Sequence, residues 1–179
     1  MQRKTISVLI GDQEIFFETG KIARQAHGSV LVRSGETIVM STACRSEEPL
    51  PDIDFLPLRI DYQEKFSSTG KTVSGFIKRE GKPTQTEILV SRLIDRPIRP
   101  MFEDGYFHDV QILSSVLSYD GEVAPDVLAI CAASCALSLS DIPLLKPIAA
   151  VRVGLIDNRY VINPTIEQQK QSKLDLVLA

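Results

Sequence analysis

The most constraining feature of this 179-residue sequence is a stretch of small and apolar residues from Asp126 to Leu139. It follows Pro125, a residue favoured in the first turn of a helix, and consists mainly of Ala, Cys, Ser and Leu. A helix that is apolar on nearly every side has to be buried, and small side chains let its neighbours approach closely. We therefore predict a helix between layers of the fold. The stretch is too short to span a bilayer, which takes about 20 apolar residues.

Apolar and alternating segments on both sides of this helix predict strands. A first helix is expected to begin with the capping box of Thr84 and Glu87 and to end near Arg96, because Pro97 lacks a backbone donor. Strands, helices and further strands in this order predict an α+β fold with helices packed on one mixed sheet. The predicted strands are Thr5 to Ile10, Ile15 to Glu18, Ser29 to Arg33, Thr37 to Cys44, Leu58 to Tyr62, Val110 to Leu117 and Ala149 to Ile156.

Length and composition favour one compact domain with its own core. The three cysteines, an odd number in a sequence without a signal peptide, make a disulfide framework unfavourable and indicate a reducing cytoplasm. The last residues, Leu174 to Ala179, alternate like a strand and have no closing turn, so we expect a fragment of a longer chain.

Positive charge is concentrated in one part of the sequence. Residues 71–99 carry seven basic and three acidic residues, whereas the whole chain has a formal net charge of −3. This balance argues against coating nucleic acid through bulk positive charge and favours holding a polyanion at one place. A solvated, charged loop is the alternative explanation.

Within this basic segment, a loop bounded by Gly75 and Gly81 places an aromatic and an aliphatic residue beside two cations. An exposed aromatic ring can stack on an unpaired base while Lys and Arg neutralise the adjacent phosphates. The pattern therefore predicts a contact with single-stranded nucleic acid. Alternatively, the two apolar residues anchor a charged loop on the core. The four residues are Phe76, Ile77, Lys78 and Arg79.

Three arginines follow the basic loop. Arg92 and Arg96 lie one turn apart on the predicted helix, and Arg99 is expected in extended chain between Pro97 and Pro100. Because the guanidinium fork matches phosphate oxygens, the three groups could converge on a phosphate. From spacing alone, ion pairs with Asp95 and Glu87 are equally consistent with the pattern.

The stretch from Ser91 to Pro100 closely resembles the hallmark of the polynucleotide phosphorylase family, which is similar to RNase PH. The resemblance covers nearly the whole chain. It includes Glu18 to Ala26, Asp61 to Glu64, Arg79 to Gly81, Ala136 to Ser140 and Ser172 to Leu176.

The resemblance implies an RNase PH-like fold (ribosomal protein S5 domain 2-like), with a mixed sheet and packed helices. In the family, two such domains per chain precede RNA-binding KH and S1 modules and form a trimeric ring around a channel. Residues 1–145 are then expected to form a first RNase PH-like domain. Residues 146–179 would begin the second subdomain of the same unit and be truncated.

The resemblance also implies a role for the basic loop. In the family, a loop of two phenylalanines and two arginines lines the channel and holds RNA, and the matching positions here are Phe76, Ile77, Lys78 and Arg79. Two of these residues differ from the family pattern. Ile77 cannot stack on a base as Phe does, and Lys78 lacks the guanidinium group with which Arg binds a phosphate through two hydrogen bonds. Catalytic and metal-binding residues of the family lie in the second core domain, so none is predicted in this chain.

The activity implied by the resemblance is processive 3′-to-5′ phosphorolysis of single-stranded RNA, as in mRNA degradation, releasing nucleoside diphosphates. Inorganic phosphate would be the co-substrate, and Mg²⁺ is expected in the missing second core domain. The implied setting is a cytoplasmic homotrimer with possible RNA-decay partners and no membrane contact. One alternative is a catalytically inactive RNase PH-like scaffold that binds RNA. Another is a P-loop nucleotide-binding protein, because Thr69 to Thr72 resembles the end of a Walker A loop, although Lys65 replaces its first glycine.

Overall fold

The computed structural model describes residues 2–74, 76 and 79–179. The described residues form an α+β fold, as the element order predicts. No helix in this part of the chain is long and apolar enough to cross a bilayer. The strands are β1 (Lys4–Ile10), β2 (Gln13–Thr19), β3 (Gly28–Ser34), β4 (Thr37–Pro49), β5 (Leu58–Glu64), β6 (His108–Ser118), β7 (Val151–Ile156), β8 (Arg159–Ile162) and β9 (Asp175–Leu178). The helices are α1 (Gln85–Ile98), α2 (Pro125–Ser138) and α3 (Ile166–Gln171).

The main sheet has six strands in the order β1-β2-β3-β4-β6-β5. All neighbours are antiparallel except β5 and β6, which run parallel. Gly11 and Gly35 close the first two hairpins with positive φ angles of 61° and 57°, a conformation that glycine adopts without steric cost. The four strands predicted on either side of these two turns are confirmed.

Helix α2 is buried along nearly its whole length and packs against β3, β4 and β6. Its small residues allow an unusually close approach to the sheet. A Cβ atom added to Gly28 of β3 would lie 1.9 Å from the carbonyl oxygen of Ala136. The predicted position of this helix between other elements is therefore confirmed, and its register on the sheet depends on the absence of a side chain at Gly28.

Helix α1 begins with the predicted capping box, in which Thr84 and Glu87 satisfy each other's backbone N–H groups. Its end differs from the prediction, because the helix runs through Pro97 to Ile98. Near the C-terminus, proline removes a single intrahelical hydrogen bond, while Ile98 is completely buried and holds the last turn. Arg99 was expected in extended chain, but it has helical φ and ψ angles and begins a short 3-10 helix.

The prediction of one mixed sheet was wrong for Ala149 to Ile156. Strand β7 belongs to a separate three-stranded sheet in the order β8-β7-β9, with both pairs antiparallel. The β7–β8 turn uses Asp157 and Asn158, both with positive φ, so β7 pairs with the strand that follows it. Arg152 on β7 forms an ion pair with Asp126 on α2, which ties the small sheet to the main core.

Candidate nucleic-acid interface

Phe76 lies at the surface of the basic loop (residues 75–81), with a relative accessibility of 104%. Arg79 is also exposed. Phe76 therefore does not anchor the loop on the core, which removes that alternative for this residue. Ile77 and Lys78, the two positions that depart from the family pattern, lie outside the described residues.

The basic loop is attached to the end of β5 through Glu80. One carboxylate oxygen of Glu80 accepts the backbone N–H of Phe66 at 3.2 Å, and the other pairs with Lys65 Nζ at 3.4 Å. Lys65 and Phe66 directly follow β5, and Phe66 begins a 3-10 helix that ends at Thr69. The two ends of the connection between β5 and α1 are therefore joined across the loop.

A second glutamate fixes the start of α1. Glu87 accepts the N–H of Thr84 at 2.6 Å as part of the capping box, and its other oxygen accepts the N–H of Glu64 at 2.8 Å. Burial by itself would raise the pKa of Glu87, but these backbone hydrogen bonds outweigh it and leave the pKa below its ordinary value. The helix that carries the arginines is thus held firmly against β5 when Glu87 is ionised.

Arg92 and Arg96 are exposed on the outer side of α1. Val90, Ile94 and Ile98 are buried on the opposite side, at the three- and four-residue spacing of a helix. The two arginines are separated by one turn, about 6 Å along the axis. Their guanidinium groups therefore face away from the core on one surface of the helix.

Arg99 is used differently from the other two arginines. Its Nε and Nη2 atoms donate to the two oxygens of Asp95 at 3.0 and 2.6 Å. Its Nη1 and Nη2 atoms also donate to the carbonyl oxygens of Leu56 and Leu58, both at 3.1 Å. Of the two explanations left open by spacing, ion pairing with Asp95 holds for this residue. The predicted convergence of three arginines is reduced to a pair on α1 and a third that braces the helix end.

Signals for other chemistry receive no support within the described part of the chain. It contains no group of three or more His, Cys, Asp or Glu residues that could hold a metal ion. Cys131 is buried and bonds to the backbone of Ala150, and burial raises the pKa of its thiol. The Walker-like residues Thr69 to Thr72 lead into a loop, whereas a P-loop requires the start of a helix there.

Sequence reasoning missed Lys65, Phe66 and Glu80. Lys65 and Phe66 contribute to the surface beside the basic loop, and Glu80 within the loop bonds to both of them. The sequence could have indicated two of these residues, because an aromatic residue next to a lysine at the end of a strand is a pattern typical of nucleic-acid contacts. The contact with Glu80 could not be predicted in this way, since it depends on how the loop folds back over 14 residues.

Comparison with known families gives two adjacent matches. A family model described as "3′ exoribonuclease family, domain 1", for RNase PH, matches residues 12–143. The model of domain 2 of the same family matches residues 146–179. The first match covers well over half of the chain.

Curated relatives match over the entire chain. It is 68% identical over 179 residues to a polyribonucleotide nucleotidyltransferase of Protochlamydia amoebophila (strain UWE25). It is 62% identical over 181 residues to the protein of that name from Chlamydia pneumoniae. In both comparisons all of this chain is covered, but only 26% of the relative. The chain thus spans about a quarter of the length of these relatives.

Two solved structures share the fold at low sequence identity. One, described as the Archaeoglobus fulgidus exosome with RNA bound to the active site, has a TM-score of 0.63 at 20% identity, covering 98% of this chain and 71% of that one. Rice (Oryza sativa) Rrp46 has a TM-score of 0.68 at 16% identity, covering 99% and 75%. At these identities the similarities establish the architecture alone.

Proposed function

Because this chain belongs to the RNase PH family of 3′ exoribonucleases, we propose that it is the N-terminal, RNA-guiding core domain of a phosphorolytic exoribonuclease. The proposed substrate is single-stranded RNA, as in mRNA degradation, and the products are nucleoside diphosphates. The observation that carries the proposal is the full exposure of Phe76, followed three residues later in the sequence by exposed Arg79, in a family of 3′ exoribonucleases.

In the proposed reaction, an oxygen of inorganic phosphate attacks the phosphorus of the 3′-terminal phosphodiester. A phosphorus–oxygen bond forms to the attacking phosphate, and the bond to the 3′ oxygen of the preceding nucleotide breaks. The terminal nucleotide leaves as a nucleoside diphosphate, and the shortened RNA keeps a 3′ hydroxyl. Repetition without release requires that the RNA be held at a distance from the reacting bond, and we assign this task to the present domain.

The geometry suits that task. An exposed aromatic ring can stack on any base, and this contact is sequence-tolerant because every base has a π-face. Positive charge for phosphates is offered by Arg79, three residues after Phe76 in the sequence, and by Arg92 and Arg96 on the outer side of α1. Arg99 supports the surface indirectly, since its bonds to Asp95 and to the carbonyls of Leu56 and Leu58 hold the end of α1 in place.

Magnesium and inorganic phosphate belong to the proposal for the whole enzyme. Magnesium would neutralise charge at the reacting phosphorus. The described residues of this chain contain no cluster suited to a metal ion, so no step through magnesium is assigned to them. We place the metal and the catalytic residues in the second core domain.

We further propose that residues 1–145 form the first RNase PH-like domain and that residues 146–179 begin its second subdomain. The boundary between the two family matches, at residues 143 and 146, supports this division. The rest of the proposal is a cytoplasmic homotrimer that encloses the RNA path and associates with partners in RNA decay.

The test uses the full-length protein and a 5′-labelled single-stranded RNA. We expect stepwise shortening and release of nucleoside diphosphates when phosphate and Mg²⁺ are both present, and no shortening when phosphate is withheld. Binding of RNA without phosphate-dependent shortening would instead identify the inactive scaffold. Absence of both binding and shortening would overturn the proposal.

A further inference from the structure

We propose that the cleft beside the basic loop is a second nucleobase subsite in which Phe66 is the stacking surface. This inference rests on the proposed function, because it takes single-stranded RNA as the ligand. It adds a binding residue that lies outside the loop and outside the arginine-bearing helix.

The cleft is large enough for a base. Its volume is about 350 Å³, at the lower end of the range of about 300–1,000 Å³ that is usual for ligand clefts. It lies between the end of β5, the start of α1 and the start of α2. The lining residues are Glu64, Lys65, Phe66, Ser68, Thr69, Thr84, Glu87, Val116, Tyr119 and Pro125.

The backbone of Phe66 is held by hydrogen bonds, and the residue is 47% exposed. Its N–H donates to Glu80, and its carbonyl oxygen accepts both the hydroxyl of Thr69 and the N–H of Lys71, each at 3.1 Å. The 3-10 helix is fixed in turn to β6 through the N–H of Tyr119, which donates to the carbonyl of Ser68 at 3.0 Å. Because this backbone is already fixed, stacking of a base on the half-exposed ring does not have to order the chain, which lowers the entropic cost of binding.

The acidic residues of the cleft are occupied by internal hydrogen bonds. Both oxygens of Glu87 accept backbone N–H groups, and Glu64 accepts the hydroxyl of Tyr62 at 2.7 Å. Lys65 at the rim is paired with Glu80, since its Nζ lies 3.4 Å from a carboxylate oxygen of that residue. Burial, followed by the nearby carboxylate of Glu64, raises the pKa of Tyr119, so its hydroxyl stays protonated and can serve as a donor. The cleft therefore offers an aromatic face and polar groups, which is the combination used for unpaired bases.

Glu80 connects this cleft to the basic loop. It lies four residues after Phe76 in the sequence and accepts a hydrogen bond from the backbone N–H of Phe66, so Phe66 lies next to a described residue of the basic loop. A strand of RNA held at the basic loop would present a neighbouring base to Phe66. Single-stranded RNA is thus the occupant that this arrangement favours.

The experiment measures equilibrium binding of single-stranded oligoribonucleotides to the full-length protein at several salt concentrations. For Phe66→Leu we expect affinity to fall by at least about 5-fold, because stacking on an aromatic residue is lost. Phe66→Tyr keeps the ring and is expected to retain the affinity. The slope of log affinity against log salt is expected to stay unchanged, since no phosphate contact is removed.

Phe55→Leu is the matched control, because Phe55 is 61% exposed but does not line the cleft. It should leave affinity unchanged. If Phe66→Leu behaves like this control while Phe76→Ala still weakens binding, the subsite is wrong and the proposed function stands. If neither Phe66→Leu nor Phe76→Ala weakens binding, the RNA-guiding role of the domain fails as well. A fall in thermal stability of Phe66→Leu at unchanged affinity would assign Phe66 to packing and overturn the subsite.

Discussion

Helix α2 and the basic segment (residues 71–99) differ in where their side chains lie: those of α2 are buried, whereas the basic segment exposes several of its side chains. Almost every side chain of α2 is buried, so its sequence is dictated by the space between neighbouring elements. The basic segment exposes Phe76, Arg79, Arg92 and Arg96, whose side chains add little to the core. The difference teaches that folding and the proposed RNA contact depend on separate residues, so substitutions should separate the two properties.

Helix α1 lies within the basic segment but carries both buried and exposed side chains. Its inner side contributes Val90, Ile94 and Ile98 to the core, and its outer side carries Arg92 and Arg96. Glu87 and Arg99 fix its two ends to the chain around β5. Glu87 and Arg99 are polar residues that stabilise the fold. Substituting them therefore tests which polar residues of the basic segment serve folding and which serve the proposed RNA contact.

The largest effect is expected for Gly28→Ala, because the added Cβ would collide with backbone of α2. We expect a loss of about 3 kcal/mol, or roughly 6–12 °C in the melting temperature of this domain. Gly81→Ala is the matched control, since no atom lies within 4 Å of its Cβ position. Thermal unfolding of the full-length protein measures both. Equal melting temperatures for the two variants would contradict the close packing of α2.

For the basic loop we expect substitutions to weaken RNA binding while stability is retained. Replacing Phe76, Lys78 and Arg79 together with alanine should weaken binding of single-stranded RNA by about 10- to 100-fold, through lost stacking and two lost cations. The salt dependence of binding should become shallower by about 1.4 in the log–log slope. The melting temperature is expected to stay within about 2 °C of the wild type. Unchanged affinity and an unchanged slope would remove the loop from the RNA path.

Much of the fold was predictable because its signals are local. The capping box at Thr84, the glycine turns of the first hairpins and the apolar character of α2 each follow from a short window of sequence. The division into two sheets was not predictable in that way. It depends on which strand pairs with β7, and the signal was the turn at Asp157 and Asn158, a weaker hairpin pattern than Asn-Gly.

The candidate site was predicted in part for a similar reason. Phe76, Arg92 and Arg96 could be placed at the surface from composition and helical spacing. The role of Arg99 was left open, because two of its partners are carbonyl groups more than 40 residues away in sequence. Contacts of this kind, like that between Glu80 and Phe66, exist only after the chain has folded.

The contribution of Glu87 is expected to depend on pH. Because its pKa is lowered in the folded state, the stabilisation is complete above its unfolded pKa and is lost as the pH falls through the folded value. Glu87→Gln should therefore cost about 1–2 kcal/mol at pH 7, and the difference from wild type should shrink below about pH 4. Denaturant unfolding across this range tests it, with Glu103→Gln at an exposed position as the control. A difference that stays constant down to pH 3 would be inconsistent with the role of the carboxylate.

The smallest effects are expected to separate two arginines that are close in sequence. Arg99→Ala should lower stability by about 1 kcal/mol, since it removes a partly exposed ion pair with Asp95 and two bonds to backbone carbonyls. Arg96→Ala should leave stability unchanged and weaken RNA binding by a few-fold, with a slope shallower by about 0.7. Melting temperature and salt-dependent affinity are measured on each variant. If Arg96→Ala lowers stability while RNA affinity is retained, the outer side of α1 stabilises the fold. The proposed RNA-contacting surface would then be limited to the basic loop.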